Sequence, residues 1–257
     1  MQKGFTLKAL GKLIFKSSEC RKCGKMPKSI SIRTITTFNI PETETLIQKA
    51  DVPLGTIVDS GRTFNINQEV YKIYNCSFSK DYADNISVFI PELTNYVELT
   101  SYKKKINFNF YYNEQKNLMF SDTTTAITKS FLRALKTTPN ININYNTPHF
   151  NLDSIANQLV ETKGIGFDSD DDGVSSKSFY GNEVDTNAEA SNALEQDSST
   201  KLIGVLEVLG NQYTVMFTQS GSLVAYSKIP SQNNGQPLEV PMLSFALDVL
   251  NTIHYFD

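Results

Sequence analysis

Ile30, Ile32, Thr34, Thr36, Phe38 and Ile40 recur at every second position. That is the period of a strand with one buried face, and Pro41 ends it. Residues 41–50, with Leu46 and Ile47 adjacent and proline tolerated in a first turn, predict a short helix. Between 57 and 90 the text turns β-like: 63–66, 70–78 and 86–90 are rich in β-branched and aromatic residues, with Asp, Asn, Ser and Gly between them. Ile106, Phe108, Phe110 and Tyr112 alternate cleanly, and the polar residues 113–117 before 118–120 make a hairpin signal.

The period changes at Asp122, read as an N-cap, after which Ile127, Phe131, Ala134 and Leu135 share one helical face. Ile141, Ile143 and Tyr145 alternate as a strand. Asn151 caps a second helix with Leu152, Ile155, Ala156, Leu159 and Val160 as its apolar stripe, closed by Gly164 and Gly166. Residues 167–200 predict a loop-rich stretch with one short helix at 187–195. Residues 200–209, 212–217 and 222–227 predict a three-stranded meander turning at Gly210-Asn211 and Ser220-Gly221. Leu238, Met242, Phe245, Ala246, Val249, Leu250 and Ile253 then stand at helical spacing, predicting a terminal helix packed on the meander.

Consecutive strands with separate helices predict an α+β fold, with a β-rich amino-terminal region and a carboxy-terminal meander flanked by amphipathic helices. The expected organisation is a basic segment over 1–28, a β-rich region over 29–121, and an α+β region over 122–257 with an acidic loop at 167–199. At 257 residues the chain can form one domain or two. No apolar run approaches the roughly 20 residues of a membrane span. Lys8, Lys12 and Lys16 break what would be a secretory signal, and three cysteines do not make a disulfide framework. These features predict a cytoplasmic protein.

Charge divides the chain. Up to Asn140 there are 20 basic and 12 acidic side chains; after it there are 4 and 15. Either the basic half meets a polyanion, or the two halves attract each other within one body.

The basic half offers two constellations. Lys103, Lys104 and Lys105 lead into an amide and aromatic run that includes Tyr111, the combination that neutralises phosphates and stacks bases; an amphipathic strand with a lysine-blunted edge fits the same residues. Lys129, Arg133 and Lys136, at i, i+4 and i+7, predict a basic helical ridge. In the acidic half, Asp168, Asp170 and Asp172 followed by Gly173 match the first half of a calcium loop, but Phe179 stands where the bidentate glutamate is needed. With Glu183 these carboxylates are candidate ligands for Ca²⁺ or Mg²⁺. Cys20 and Cys23 have the spacing of half a zinc knuckle, with Cys76, His149 and His254 scattered elsewhere.

Phosphate-binding, nucleophile-elbow and zincin motifs are missing from the sequence. The expectation is a non-catalytic nucleic-acid-associated or interaction protein without a required cofactor. A divalent-metal hydrolase built on Asp168, Asp170, Asp172 and Glu183, and a protein-binding partner acting through the acidic half, are the alternatives. Oligomeric state is not legible.

Overall fold

The computed structural model describes residues 27–49, 52–233 and 235–256. The chain is built around one antiparallel sheet, and 51% of it is strand against 19% helix. This corrects the expected balanced α+β fold to a β-rich one. The amino-terminal strands are β1 (Lys28–Asn39), β2 (Thr45–Lys49), β3 (Val52–Ile66), β4 (Glu69–Tyr82), β5 (Ile86–Ile90), β6 (Asn95–Leu99), β7 (Tyr102–Asn113) and β8 (Leu118–Ser121). They are followed by β9 (Asn142–Asn146), β10 (Glu161–Asp168), β11 (Ser176–Tyr180), β12 (Ser199–Val208), β13 (Asn211–Thr218) and β14 (Ser222–Ala225). The helices are α1 (Thr125–Lys136), α2 (Leu152–Ala156), α3 (Ala188–Glu195) and α4 (Pro241–Thr252).

Twelve strands form the large sheet in the order β11-β10-β12-β13-β14-β1-β8-β7-β4-β3-β2, with β9 also laddered to β1. β1 is the splice: Lys28 to Ser31 pair with β14, Ser31 to Thr34 with β8, and Thr34 to Asn39 with β9. One sheet therefore runs through both the basic and the acidic regions of the sequence.

Side-chain alternation gives this sheet two cores on opposite faces. On one face Ile35, Tyr74, Cys76, Phe78, Phe108, Phe110 and Met119 pack under α1. Phe131 is the peg, its ring 5.1 Å from Phe108, 5.3 Å from Phe110 and 5.8 Å from Phe78. Neighbouring residues on the same strands, Ile30, Ile32, Tyr71, Ile73, Tyr111 and Phe120, point the other way. They join the core formed with β12, β13 and α4, where Tyr213 meets Phe245 edge-on at 4.9 Å.

Extra strands replace predicted helix and loop. Residues 45–49 pair with β3, because Ile47 is fully buried while its neighbour Leu46 stays 49% exposed, a period of two that a pair of adjacent apolar residues does not reveal. The second predicted helix ends at Ala156, and Gly164 and Gly166 lie inside β10 instead of closing that helix. Across the ladder a Cβ on Gly164 would stand 2.9 Å from the Tyr180 ring and one on Gly166 2.4 Å from the Lys201 side chain, so both glycines lie where side chains of neighbouring strands cross them. In the stretch read as a loop, β11 pairs with β10 and stacks Phe179 on Phe167 at 5.8 Å.

Candidate functional site

α1 has one face fixed and one face free. Ile127, Thr128, Phe131, Leu132 and Leu135 are buried against the sheet, whereas Lys129, Arg133 and Lys136 are exposed. These three cations make no ion pair among the described residues. Arg133 and Lys136 occupy the last turn, where the helix dipole favours positive charge. The cap differs from the expected one. Thr124 is the N-cap residue, and its side chain makes no capping hydrogen bond.

Asp122 is employed elsewhere. Its Oδ1 accepts from the Asn109 backbone N–H at 2.7 Å, and its Oδ2 accepts from Asn109 Nδ2 at 2.9 Å and from the Tyr111 hydroxyl at 3.0 Å. Tyr111 is only 4% exposed, so its ring has no open face on which a base could stack. Burial and the adjacent Asp122 carboxylate push its phenol well above the ordinary range.

The lysine run that precedes Tyr111 alternates across the sheet. Lys105 reaches the face opposite α1, where it lines a concavity of about 490 Å³ with Glu44, Asn75, Asn107, Asn109 and Asp122. This hollow occurs because the second core covers Tyr71, Ile73 and Tyr111 but stops short of Asn75, Ser77, Asn107 and Asn109 on the same face. Its polar lining was half legible, since Asn107 and Asn109 alternate with Phe108 and Phe110. Its carboxylates, Glu44 and Asp122, gave no signal. Lys103 lies 3.9 Å from Asp81, and Lys104 stands directly opposite Lys80. The six residues expected to make one polyanion surface are thus distributed over both faces of the sheet and its core.

The Asp168 loop is the tip of the β10–β11 hairpin. Ser169 N–H donates to Ser175 O at 3.2 Å and Val174 N–H to Asp171 O at 2.9 Å, with Gly173 at φ +77°. Asp168, Asp170 and Asp172 are exposed. Glu183 lies beyond β11, in the left-handed region before a single 3₁₀ turn. Among the described residues no three His, Cys, Asp or Glu side chains come together as a metal-holding group. The cation of this region is Lys177, paired with Asp171 at 2.7 Å and also with Glu189; its ammonium is held above the usual range by those two hydrogen bonds.

His149 and His254, far apart in sequence, line one pocket of about 200 Å³ with Phe150, Ser154 and Tyr255. His149 Nε2 stands 3.8 Å from Asp197. Nothing in the spacing of two lone histidines announces this meeting. Cys76 is buried in the α1 core, away from both, and Cys20 and Cys23 lie outside the described residues. No helix among the described residues is long and apolar enough to cross a membrane. No protein-family model matches the chain, and no curated protein matches it in sequence.

Proposed function

We propose that the protein is a non-catalytic binding protein that takes a polyanion, foremost a nucleic-acid backbone, on the outer ridge of α1. The observation that carries the reading is the exposure of Lys129, Arg133 and Lys136 without acidic partners among the described residues, on a helix whose other face is pinned by Phe131. At 1.5 Å per residue the ridge covers about 10 Å, enough to follow roughly three phosphates of one strand. A rigid support keeps the cations together, so a polyanion meets them without ordering the backbone first.

Tyr111 has no part in this surface, and base stacking does not contribute through it. The expected binding is therefore tolerant of sequence and steep in salt. Three phosphate contacts on duplex give a log–log salt slope of about −2.7, or about a 40-fold loss of affinity between 50 and 200 mM salt. Fluorescence anisotropy with labelled duplex and single strands measures this slope. Lys129→Gln, Arg133→Gln and Lys136→Gln combined should remove most of it. Absence of binding at low salt, or an unchanged slope in the triple variant, overturns the reading.

A further inference from the structure

Beyond the large sheet, β5 and β6 form a ladder of their own. They prolong the β4–β7 ribbon past its last rung, where Tyr82 and Tyr102 stack at 5.3 Å, into an arm that turns at Pro91–Leu93. From Asp81 to Lys105 not one residue is buried. Yet the register pairs Ile86 with Leu99 and Val88 with Val97, which with Ile90 puts five aliphatic side chains on one face. The other face holds Phe89 against Tyr96 at 5.2 Å and the Ser87 hydroxyl donating to Glu98 at 2.6 Å. A two-stranded hairpin is marginal alone in water, and an aliphatic stripe on it marks a surface that is covered in use.

Charge identifies the cover. The distal arm carries Asp84, Glu92 and Glu98 and no basic residue, whereas its base carries Lys80, Lys103, Lys104 and Lys105. Lys80 and Lys104 are direct cross-strand neighbours, an unfavourable like-charge pair unless an acid from elsewhere sits over them. Glu92 and Lys80 are six positions from Ile86 on opposite sides of it. We propose that the arm binds a second copy of itself, antiparallel, about a two-fold axis near the Ile86–Leu99 rung. The aliphatic stripes then face each other, and Glu92 of each copy reaches Lys80 and Lys104 of the other. One patch supplies both complements, as an isologous interface requires. A lipid surface would meet the acidic tip first, and a nucleic acid would leave the stripe uncovered.

Sedimentation velocity over a concentration series tests this on the full chain. The wild type should pass from monomer to dimer, and Val88→Asp, an exposed position whose change leaves both cores intact, should stay monomeric with an unchanged circular dichroism spectrum. Glu92→Lys alone, and Lys80→Glu with Lys104→Glu, should each weaken the dimer about tenfold, since each change strikes both symmetric contacts. Mixing the two charge-reversed proteins should restore a dimer. A wild type that stays monomeric at low salt, a Val88→Asp protein that still dimerises, failure of the mixture to recover, or a monomer whose arm binds anionic vesicles or nucleic acid instead, would each overturn the proposal.

Discussion

The Tyr111 hydroxyl and the Asp122 carboxylate meet at 3.0 Å on the face of the sheet away from α1, although Asp122 lies only three residues before that helix begins. The carboxylate ties β7 to the end of β8 by accepting three hydrogen bonds, two of them from Asn109. Hydrogen bonds to a charged acceptor contribute more than neutral ones. Asp122→Ala should therefore cost about 2 kcal/mol in urea unfolding, and Tyr111→Phe about 1 kcal/mol. Polyanion affinity should be unchanged in both, because the ridge lies across the sheet. Loss of binding without loss of stability would place the binding surface in the polar concavity instead.

Alkali should unfold the protein through its buried phenols. Burial pushes Tyr74 up to about 12 and Tyr71, Tyr111 and Tyr112 upward as well. A folded value above the unfolded one means the native state holds a proton that the unfolded chain gives up first. The stabilisation is complete below about pH 10 and disappears as pH rises towards the folded value. Each such tyrosine should remove about 1.4 kcal/mol per pH unit within that window. Tyr180, held down by its hydrogen bond to Lys201, should ionise before the others in an ultraviolet titration. An unfolding free energy that stays flat from pH 10 to 12 would contradict this burial.

Long alternating runs were legible because the physics that builds them is local. β7 presents a residue to each face in turn, and Ile106, Phe108, Phe110 and Tyr112 name its α1 side without reference to any partner. β1 departs from the single buried face its alternation predicts, because the register shift between Ile35 and Thr37 sends Ile30 and Ile32 into one core and Phe38 and Ile40 against the other. What escaped depends on neighbours distant in sequence. β2 is a strand because β3 lies beside it, and β11 because β10 does. Tyr111 belongs to a phase of β7 that looks polar at Lys105, Asn107 and Asn109, and it is buried only where the second core reaches across. The α1 ridge was readable, since a helical face needs nothing but spacing. Asp122 was misread as a cap because the donors that compete for its carboxylate, the Asn109 N–H and side-chain amide, sit on another strand.

Gly55 sits on β3 hard against the backbone of β4. A Cβ there would stand 1.9 Å from the Ser77 carbonyl oxygen, and backbone cannot move aside as a flexible side chain can. Gly55→Ala should lower stability by about 2 kcal/mol or more, beyond any entropic gain from removing a glycine. Gly173→Ala meets nothing within 4 Å and should cost only the strain of its φ of +77°, about 1 kcal/mol. Comparing the two denaturation midpoints separates steric contact from backbone conformation; equal losses would mean that β3 and β4 are not packed this tightly.

Arg33 sits on β1, where the two regions are spliced, and is 1% exposed with no carboxylate paired to it among the described residues. Its Nη1 donates to the Ile32 carbonyl and to Ser220 O at 3.1 Å, while Nη2 has no partner among the described residues. Burial accordingly lowers its affinity for the proton. A buried charge held only by carbonyl dipoles loses more in desolvation than those bonds return. Met fills a similar length without that loss, and the Gly221 carbonyl keeps its bond from Ile32 N–H at 2.7 Å. Arg33→Met should therefore stabilise the fold by about 1–2 kcal/mol and leave polyanion binding untouched. A destabilised variant would mean that the guanidinium, by bridging β1 to the 220–221 turn, holds the two halves of the sheet together more strongly than its desolvation opposes.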